Sequence, residues 1–479
     1  MIVGFPKNDF ADIGRMENHM AFINEAPKQV PVIYEADICV VGGSATGVFA
    51  AVRAARLGAK VVIVECQNSF GGVASNGLVG LWHTFLSTDG KKLVISGLTE
   101  ETLGRMDETD HTVYGADDGK SHVFNPVELK CELDAMLQEC GVKIYLHTYY
   151  AGIVTDGNDI QAIFVENKDG RGAIKAKFFI DATGDGDLCR DLKIERFENE
   201  HMQPPSYVFL HQGDDKIIVD RCQIIGSDPV THLLNEHCEE FDIERDWGWA
   251  VKIPGHYKMK MRANTHVFNV NCAKAEDLTY AELKGREKMR KVNKLLRKYG
   301  DPNETYSLIS DCSYIGIRDT YHYKTTYQAN ALDLLMGQNY DDCILRGTYN
   351  VDAHHDKEGI KFLRLDGTYS VEDSYGNIRQ GNWRAEQGLP TDGPMPTFYQ
   401  LPFKAIVQDK YSNLIAAGRM INADSSAFGA LRVMVNLNQI GEAAGVAAYL
   451  AIHQNKTIQE VSGVEVAKTL SAGGSANLG

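Results

Sequence analysis

The apolar positions of this chain fall in blocks whose period switches between strand and helix. Ile38, Cys39, Val40 and Val41 form a continuous apolar run of the length expected for a strand buried in a parallel sheet. Gly42, Gly43, Ser44, Ala45, Thr46 and Gly47 follow with no linker. Ala50, Ala51, Ala54, Ala55 and Leu57 then recur at helical spacing, and Gly58 stops the helix. A second apolar run, Val61 to Val64, ends on Glu65. Residues 37–65 therefore predict one βαβ unit. Further on, Asn125 caps a helix over 125–142 that has Pro126 at its first position and Gly141 at its stop. Residues 143–150 read as a strand. Three short strands follow over 151–181, separated by Asp156-Gly157-Asn158-Asp159 and Asp169-Gly170-Arg171-Gly172, which are hairpin signals. Phe178 to Ile180 form another buried run that closes on Asp181.

Beyond residue 200 the pattern loosens. Strand-like stretches at 207–211, 258–262 and 266–270 and a helix from about 280 to 299 predict an α+β segment. A strand returns at 413–417, followed by a small-residue loop over 422–431. A helix then runs from about 431 to 451 with Gly441, Ala443, Ala444, Gly445, Ala447 and Ala448. So many small residues predict close packing of its backbone against a cofactor or a strand. The fold class is α/β: a Rossmann-like nucleotide domain, made of a parallel sheet plus a three-stranded β-meander, with an inserted α+β substrate domain. The expected divisions are an arm over 1–35, a discontinuous nucleotide domain over 36–200 and 400–455, an insertion over 201–399, and a tail over 456–479 that frays from Ser471.

The first unit carries chemistry. A glycine turn lets the backbone approach a pyrophosphate, and the helix N-terminus offers N–H groups and partial positive charge. An acid at the end of the second strand accepts hydrogen bonds from ribose hydroxyls. Glu65 would also repel a 2′-phosphate, which disfavours NADP. The fingerprint reads Gly42-x-Ser44-x-x-Gly47, with a serine at the middle position whose hydroxyl could bind phosphate. No Lys-Ser/Thr pair follows Gly47, so the turn is not a triphosphate P-loop, and Thr46 stands where a nucleophile elbow needs glycine. The turn candidates are Gly42, Ser44, Ala45, Thr46, Gly47, Glu65 and Cys66. Gly71, Gly72 and Val73 lie just past the ribose acid, where a backbone without side chains could also approach the cofactor.

Composition narrows the partners. The 479 residues carry 49 Lys+Arg against 64 Asp+Glu, a net charge of −15. That balance argues against nucleic acid or an anionic membrane surface, both of which need a basic face. No apolar run reaches membrane-spanning length, and the N-terminus lacks a basic region followed by an apolar one. Ten cysteines with no C-x-x-C pair read as reduced thiols of a cytoplasmic protein.

VVGGSATG, Glu65, Gly71-Gly72, the meander and DATGDGD (181–187) together resemble the FAD-dependent oxidoreductases of the glutathione-reductase-like flavoprotein superfamily, in the group with a Gly-Gly segment after the first βαβ unit. NLIAAGRMINADSSAFGALRVMVNLNQIGEAAGVAAYLA is similar to the segment that closes the FAD domain in that group. Pro254-Gly255, EDLTYAELKGR, IGIRDT and VDAHH resemble its substrate domain, so the likeness runs from about residue 33 to 455. The resemblance implies FAD as cofactor. It implies cofactor contacts from Val154, Ala182, Thr183, Gly184 and Asp187, and from Gly418, Arg419, Arg432, Val433 and Asn436. It also implies hydride transfer between a small organic substrate and flavin N5, in either direction.

Candidates for the proton work are Arg318 and His322 in GIRDTYHY, His354 in YNVDAHH, and His83 beside Trp82. His83 is open to three roles: stacking on a substrate, acid–base work, or a covalent flavin link. No metal site is expected, since H-E-x-x-H is absent and adjacent His354-His355 point different ways on any regular element. A redox-neutral hydratase or isomerase, and a non-enzymatic FAD-binding scaffold, are the alternatives. The electron acceptor or donor is left unnamed by the sequence, and homo-oligomerisation stays open.

Overall fold

The computed structural model describes residues 23, 25–114, 121–213, 229–245, 247–355, 359–373 and 377–476. The first apolar run is the C-terminal part of a ten-residue strand, β1 (Val32–Val41). Helix α1 (Ala45–Arg56) and strand β2 (Val61–Val64) complete the βαβ unit, with β1 and β2 parallel in the register Ile38↔Val61 to Val41↔Val64. Residues 32–35 thus belong to the sheet and not to the expected arm, because a later strand reaches down to pair with them. Residues 1–22 and 24 of that arm lie outside the described residues.

Helix α2 (Pro126–Glu139) starts where its cap predicts: the Asn125 side chain accepts the Val127 N–H. Strand β3 (Lys143–Tyr145) adds to β2 in parallel. The strand expected over 143–150 breaks here. His147 takes φ +49, and Thr148 N–H donates to Glu65 O at 3.0 Å. The meander follows as β4 (Tyr149–Asp156), β5 (Asp159–Asn167) and β6 (Gly170–Asp181). The third hairpin strand and the buried run at 178–180 are one rod. The first half of β6 pairs antiparallel with β5, while β1 follows β6 along nearly its whole length in parallel.

Residues 201–399, where an insertion is expected, carry two four-stranded sheets. Strands β7 (Phe209–Gln212), β8 (Ala250–Lys252) and β9 (Met259–Arg262) join β10 (Ser307–Asp311) in the order β8-β9-β7-β10. Between them in sequence, helix α3 (Ala275–Tyr299) packs Ala281, Val292, Leu295 and Leu296 on Tyr207, Phe209 and Met261. It starts five residues before the expected Tyr280, with Glu276 and Asp277 in the first turn, where the helix dipole favours acids. Residues 266–270 form no strand; His266 makes a single bridge to Ser206. The second sheet is an antiparallel meander of β11 (Val351–His355), β12 (Gly359–Leu363), β13 (Thr368–Glu372) and β14 (Ile378–Asn382).

The chain then returns. Strand β15 (Leu414–Ala416) pairs in parallel with the C-terminal half of β6, so the parallel core reads β3-β2-β1-β6-β15. The segment 422–431 is not a loop: Asp424 caps helix α4 (Ser425–Leu431) by accepting the Ala427 N–H at 2.7 Å. Its small residues let it lie directly on β11, and a Cβ on Gly429 would come within 2.7 Å of Asp352 O. Arg432 and Val433 separate it from helix α5 (Met434–Gln454).

The glycines of α5 face α1, rather than a cofactor or a strand. A Cβ on Gly441 would sit 2.1 Å from Thr46 O, and one on Gly445 2.3 Å from Ala50 O. The same interface buries an Arg53–Glu442 ion pair. Arg53 Nη1 donates to Gly473 O at 2.8 Å, and Ser475 Oγ donates to Glu442 Oε2 at 3.2 Å. The tail therefore does not fray at Ser471. A helix spans Gly463–Ala472, and the residues after it serve as partners for buried charge.

Candidate active site

The turn after β1 is sterically specified. Gly42 has φ +103, and a Cβ there would lie 2.3 Å from Ala182 O; a Cβ on Gly47 would lie 2.0 Å from Gly42 O. Ser44 is the extended N-cap of α1, makes no capping bond with its side chain, and precedes a first turn without acids that contains Ala45, Thr46 and Gly47. It bridges in parallel to Gly71, whose N–H donates to Gly43 O at 2.8 Å. Gly71 and Gly72 have φ +105 and +55, and a Cβ on Gly72 would meet Ser44 Cβ at 3.0 Å. The Gly71-Gly72-Val73 segment is thus one wall of the turn.

Glu65 closes the other side. Its Oε2 accepts the Gly43 N–H at 2.5 Å, and its Oε1 accepts the Gln67 N–H at 2.7 Å and the Cys66 Sγ–H at 3.3 Å. Burial, with the Glu65 charge, pushes the Cys66 thiol up to about 12, so it stays protonated. Sequence reasoning passed over Gly43, which ties the turn to Glu65 and whose Cβ would lie 2.4 Å from the Phe70 ring. The signal was present in two consecutive glycines ahead of a helix. Glu65→Gln is expected to weaken FAD retention by roughly 1–3 kcal/mol, the cost of losing a charged hydrogen-bond partner; FAD dissociation constants check this. Ser44→Ala is expected to cost about 1 kcal/mol through its hydroxyl, whereas equal affinity in Ala and wild type would make the serine a spacer.

At the end of β6, Ala182 N–H donates to Val41 O, and buried Asp181 caps the short helix Asp187–Asp191 through the N–H groups of Leu188 and Cys189. Thr183 Oγ1 donates to Asp181 and accepts the Asp187 N–H at 2.9 Å. Burial and the nearby Asp181 push the Asp187 carboxyl up to about 6, against the Arg190 guanidinium. Gly418, at φ +138, turns the chain out of β15 so that Arg419 pairs with Asp185 and lies over Gly184. Val154 is not brought to the turn. It faces Ala162 across the meander and lies six residues beyond Thr148, about 20 Å of extended chain.

A second cluster gathers residues from five parts of the chain. Asp352 and His354 alternate on β11 and so share a face. Asp352 Oδ1 lies 3.1 Å from His354 Nε2. Its Oδ2 accepts Tyr349 OH at 2.7 Å and Arg432 Nη2 at 2.8 Å. His83 packs on the Tyr349 ring at 4.1 Å between centroids, and His266 lies 5.2 Å from the His354 ring. Arg318 donates from Nη1 to Pro204 O and Ser206 Oγ, both at 2.7 Å. Two residues before it, Gly316 faces Val73, so the loop carrying Arg318 abuts the wall of the turn. Of the other resemblance-based candidates, Val433 is the N-cap of α5, and Asn436 Nδ2 donates to Tyr399 OH and Ala430 O.

The structure therefore brings His83, Arg318, His354 and Arg432 together, and adds Tyr349, Asp352 and His266. His322 stands apart from them. Its ring is fully buried between Phe197 and Phe428, with Nδ1 2.8 Å from Ile421 O and Nε2 2.9 Å from Asp319 Oδ1. It holds loops together and does not face the cluster. Among the described residues, no group of three or more His, Cys, Asp or Glu side chains is disposed to hold a metal.

Electrostatics sort the cluster. Burial pushes the Asp352 carboxyl up, but His354, the Arg432 guanidinium and Tyr349 outweigh it and hold it well below the usual carboxylate range. Burial lowers His83 and His354 to about 4 each, against the pull of Asp352. In the unfolded chain both imidazoles protonate near the ordinary 6.5, so the unfolded state binds more protons below that value. The contribution of these two imidazoles to stability is then complete above about 6.5 and is lost as pH falls towards 4. The melting temperature is expected to drop across that window, with a shallower slope in His83→Asn; a slope unchanged in the variant would show that His83 is not held neutral.

A family model for FAD dependent oxidoreductases matches residues 37–470. The chain belongs to the FAD dependent oxidoreductase family. FAD is its cofactor, and this FAD-dependent oxidoreductase acts on a small-molecule substrate. None of the curated proteins matches it. Among solved structures it is similar to a geranylgeranyl bacteriochlorophyll reductase-like protein from Thermoplasma acidophilum, at 9% identity, TM-score 0.42, over 92% of this chain and 82% of that one. It is also similar to an L-proline dehydrogenase from P. horikoshii, at 11% identity, TM-score 0.40, over 89% and 95%. A third likeness is to p-nitrophenol 4-monooxygenase from Pseudomonas putida, at 10% identity, TM-score 0.37, over 62% and 71%. No helix of the described residues is long and apolar enough to cross a membrane.

Proposed function

We propose that this oxidoreductase, in the glutathione-reductase-like superfamily, oxidises a small substrate at a carbon bearing an O–H or N–H, with His354 Nδ1 taking the proton. One observation carries this reading: His83, Arg318 and His354, from three separate stretches, converge with Arg432 at the start of α5, next to the wall of the glycine turn. The turn suits FAD. Glu65 would hold the adenosine ribose, and Ser44, the first turn of α1 and the Gly71-Gly72 cradle would hold the pyrophosphate. The α5 N-terminus and Arg432 would face the flavin N1–C2=O edge. Bound FAD supplies two-electron hydride chemistry at N5.

The chain supplies the rest. Among the described residues His354 Nδ1 is buried with no partner, which costs about 1–3 kcal/mol until a donor meets it. A substrate O–H or N–H meets that need, and a neutral imidazole can then accept its proton. Arg318 orients a polar group of the substrate. The reverse reduction uses the same groups, with His354 returning the proton. We further assign residues 36–200 and 400–455 to the FAD domain and 201–399 to the substrate cap. The single dinucleotide fingerprint supports an electron partner that does not stay bound, and the cysteine usage supports a reducing, cytoplasmic setting. Anaerobic photoreduction followed by a substrate screen tests the reading. A compound that bleaches oxidised FAD is expected; a protein that retains FAD and catalyses only hydration or isomerisation would overturn it.

A further inference from the structure

We propose that Asp352 is a positioning residue that fixes two groups with one carboxylate: the proton-bearing nitrogen of His354 and the guanidinium of Arg432. The proposal rests on the reading of His354 as the proton acceptor, and it adds how that acceptor is set. The two carboxylate oxygens divide the work. Oδ1 stands 3.1 Å from His354 Nε2, and Oδ2 receives Tyr349 OH and Arg432 Nη2 at 2.7 and 2.8 Å. A neutral imidazole carries one N–H and one lone pair. The approach is off the ring-nitrogen axis and leaves Oδ1 without a hydrogen bond, but a lone pair on Nε2 would still face a carboxylate oxygen 3.1 Å away, so the charge of Asp352 favours the proton on Nε2 and the lone pair on Nδ1. Nδ1 is the buried nitrogen that no group among the described residues meets.

The carboxylate is held from behind as well. Asp352 O accepts Gln203 Nε2 at 2.8 Å, and Gly429 of α4 leaves no room for β11 to slide. The groups facing His354 are Asp352, His266 and Arg318; those facing Asp352 are Tyr349, Arg432, His354 and His83. Asp352 is the sole carboxylate among these named groups, so it balances the Arg432 charge at the start of α5. Burial keeps His354 neutral, and Asp352 decides which neutral form it takes.

The test uses FAD-loaded protein labelled with ¹⁵N-histidine, with the His354 signal assigned by its loss in His354→Gln. Long-range ¹H–¹⁵N spectra at neutral pH are expected to show His354 protonated on Nε2. An Nδ1–H form in wild type overturns the proposal without any Asp352 variant. Asp352→Asn presents an amide N–H to Nε2 and is expected to move the proton to Nδ1. It also removes negative charge beside Arg432, so sulfite, used as a probe of positive charge near the flavin, should bind about tenfold tighter. An unchanged tautomer or unchanged sulfite affinity in an FAD-retaining Asp352→Asn protein also overturns it. The two readings fail separately. An Nε2–H His354 in a protein with no redox substrate sinks the oxidoreductive role of the cluster alone. An Nδ1–H His354 in a protein that turns over sinks the positioning role, and with it Nδ1 as the acceptor, but leaves the oxidoreductive reading standing.

Discussion

His354→Gln is expected to slow substrate-dependent FAD reduction by about 10²–10⁴-fold, the usual contribution of a positioned general base, with FAD content unchanged. Glutamine keeps a hydrogen-bonding tip of similar reach, so the packing against His266 and Asp352 is disturbed little, but it cannot accept a proton. The lowered His354 value, about 4, adds a pH signature. The wild-type rate of FAD reduction should hold from about pH 8 to pH 5 on account of this group and fall below that, as the acceptor becomes protonated. The variant should lack that acid limb. Anaerobic stopped-flow bleaching of the flavin measures both. A variant that reduces FAD at the wild-type rate would remove His354 from the chemistry, and the Asp352 proposal would then concern a purely structural pair.

Gly42→Ala is expected to yield protein without FAD and with stability lowered by about 2–6 kcal/mol, the sum of one strained backbone position and one overpacked contact. Two independent costs act at this position. The backbone is at φ +103, where an L side chain is strained, and the new methyl would lie 2.3 Å from Ala182 O, 2.5 Å from Ala182 C and 2.7 Å from Thr183 N. All three are main-chain atoms of the strand end that leads into the Asp181 cap, so none can swing aside. The absorbance of purified protein and its denaturant midpoint read the two effects. A yellow protein of normal stability would mean that the turn can relax, and its glycine pattern would then carry less information than its geometry suggests.

The βαβ unit was legible because every one of its positions answers to a local rule: strands apolar on both faces, glycines demanded by main-chain contacts, an acid at the strand end. The meander was legible through its turns. Helix α4 was not, because SSAFGAL after Asp424 has the small-residue composition of a loop, and only its fit against β11 reveals a helix. The stretch holding Asp352 was legible as chemistry-bearing, but the central place of Asp352 in it was not, for a related reason. Polar residues at alternate positions of a strand normally mark its solvent face, yet here that face turns inward onto Tyr349 and Arg432. His322 misled in the opposite direction: its neighbours have the side chains of an active site, but the fold spends them on hydrogen bonds between loops. Val154 came from resemblance alone, and nothing in its own strand tied it to the turn.

The contact between α1 and α5 also fixes an order of events. Arg53 and Glu442 stand 389 residues apart in sequence, and Gly441 and Gly445, which let the two helices touch, lie beside Glu442. The sheet that carries the glycine turn begins at β1, but α1 gains its partner α5 only after every residue between the two helices has been made. During synthesis everything between the two helices emerges before α1 can meet α5, and closing a loop of that size is slow compared with folding within it. The packing around the glycine turn is therefore completed only after the segments that lie between α1 and α5 in sequence.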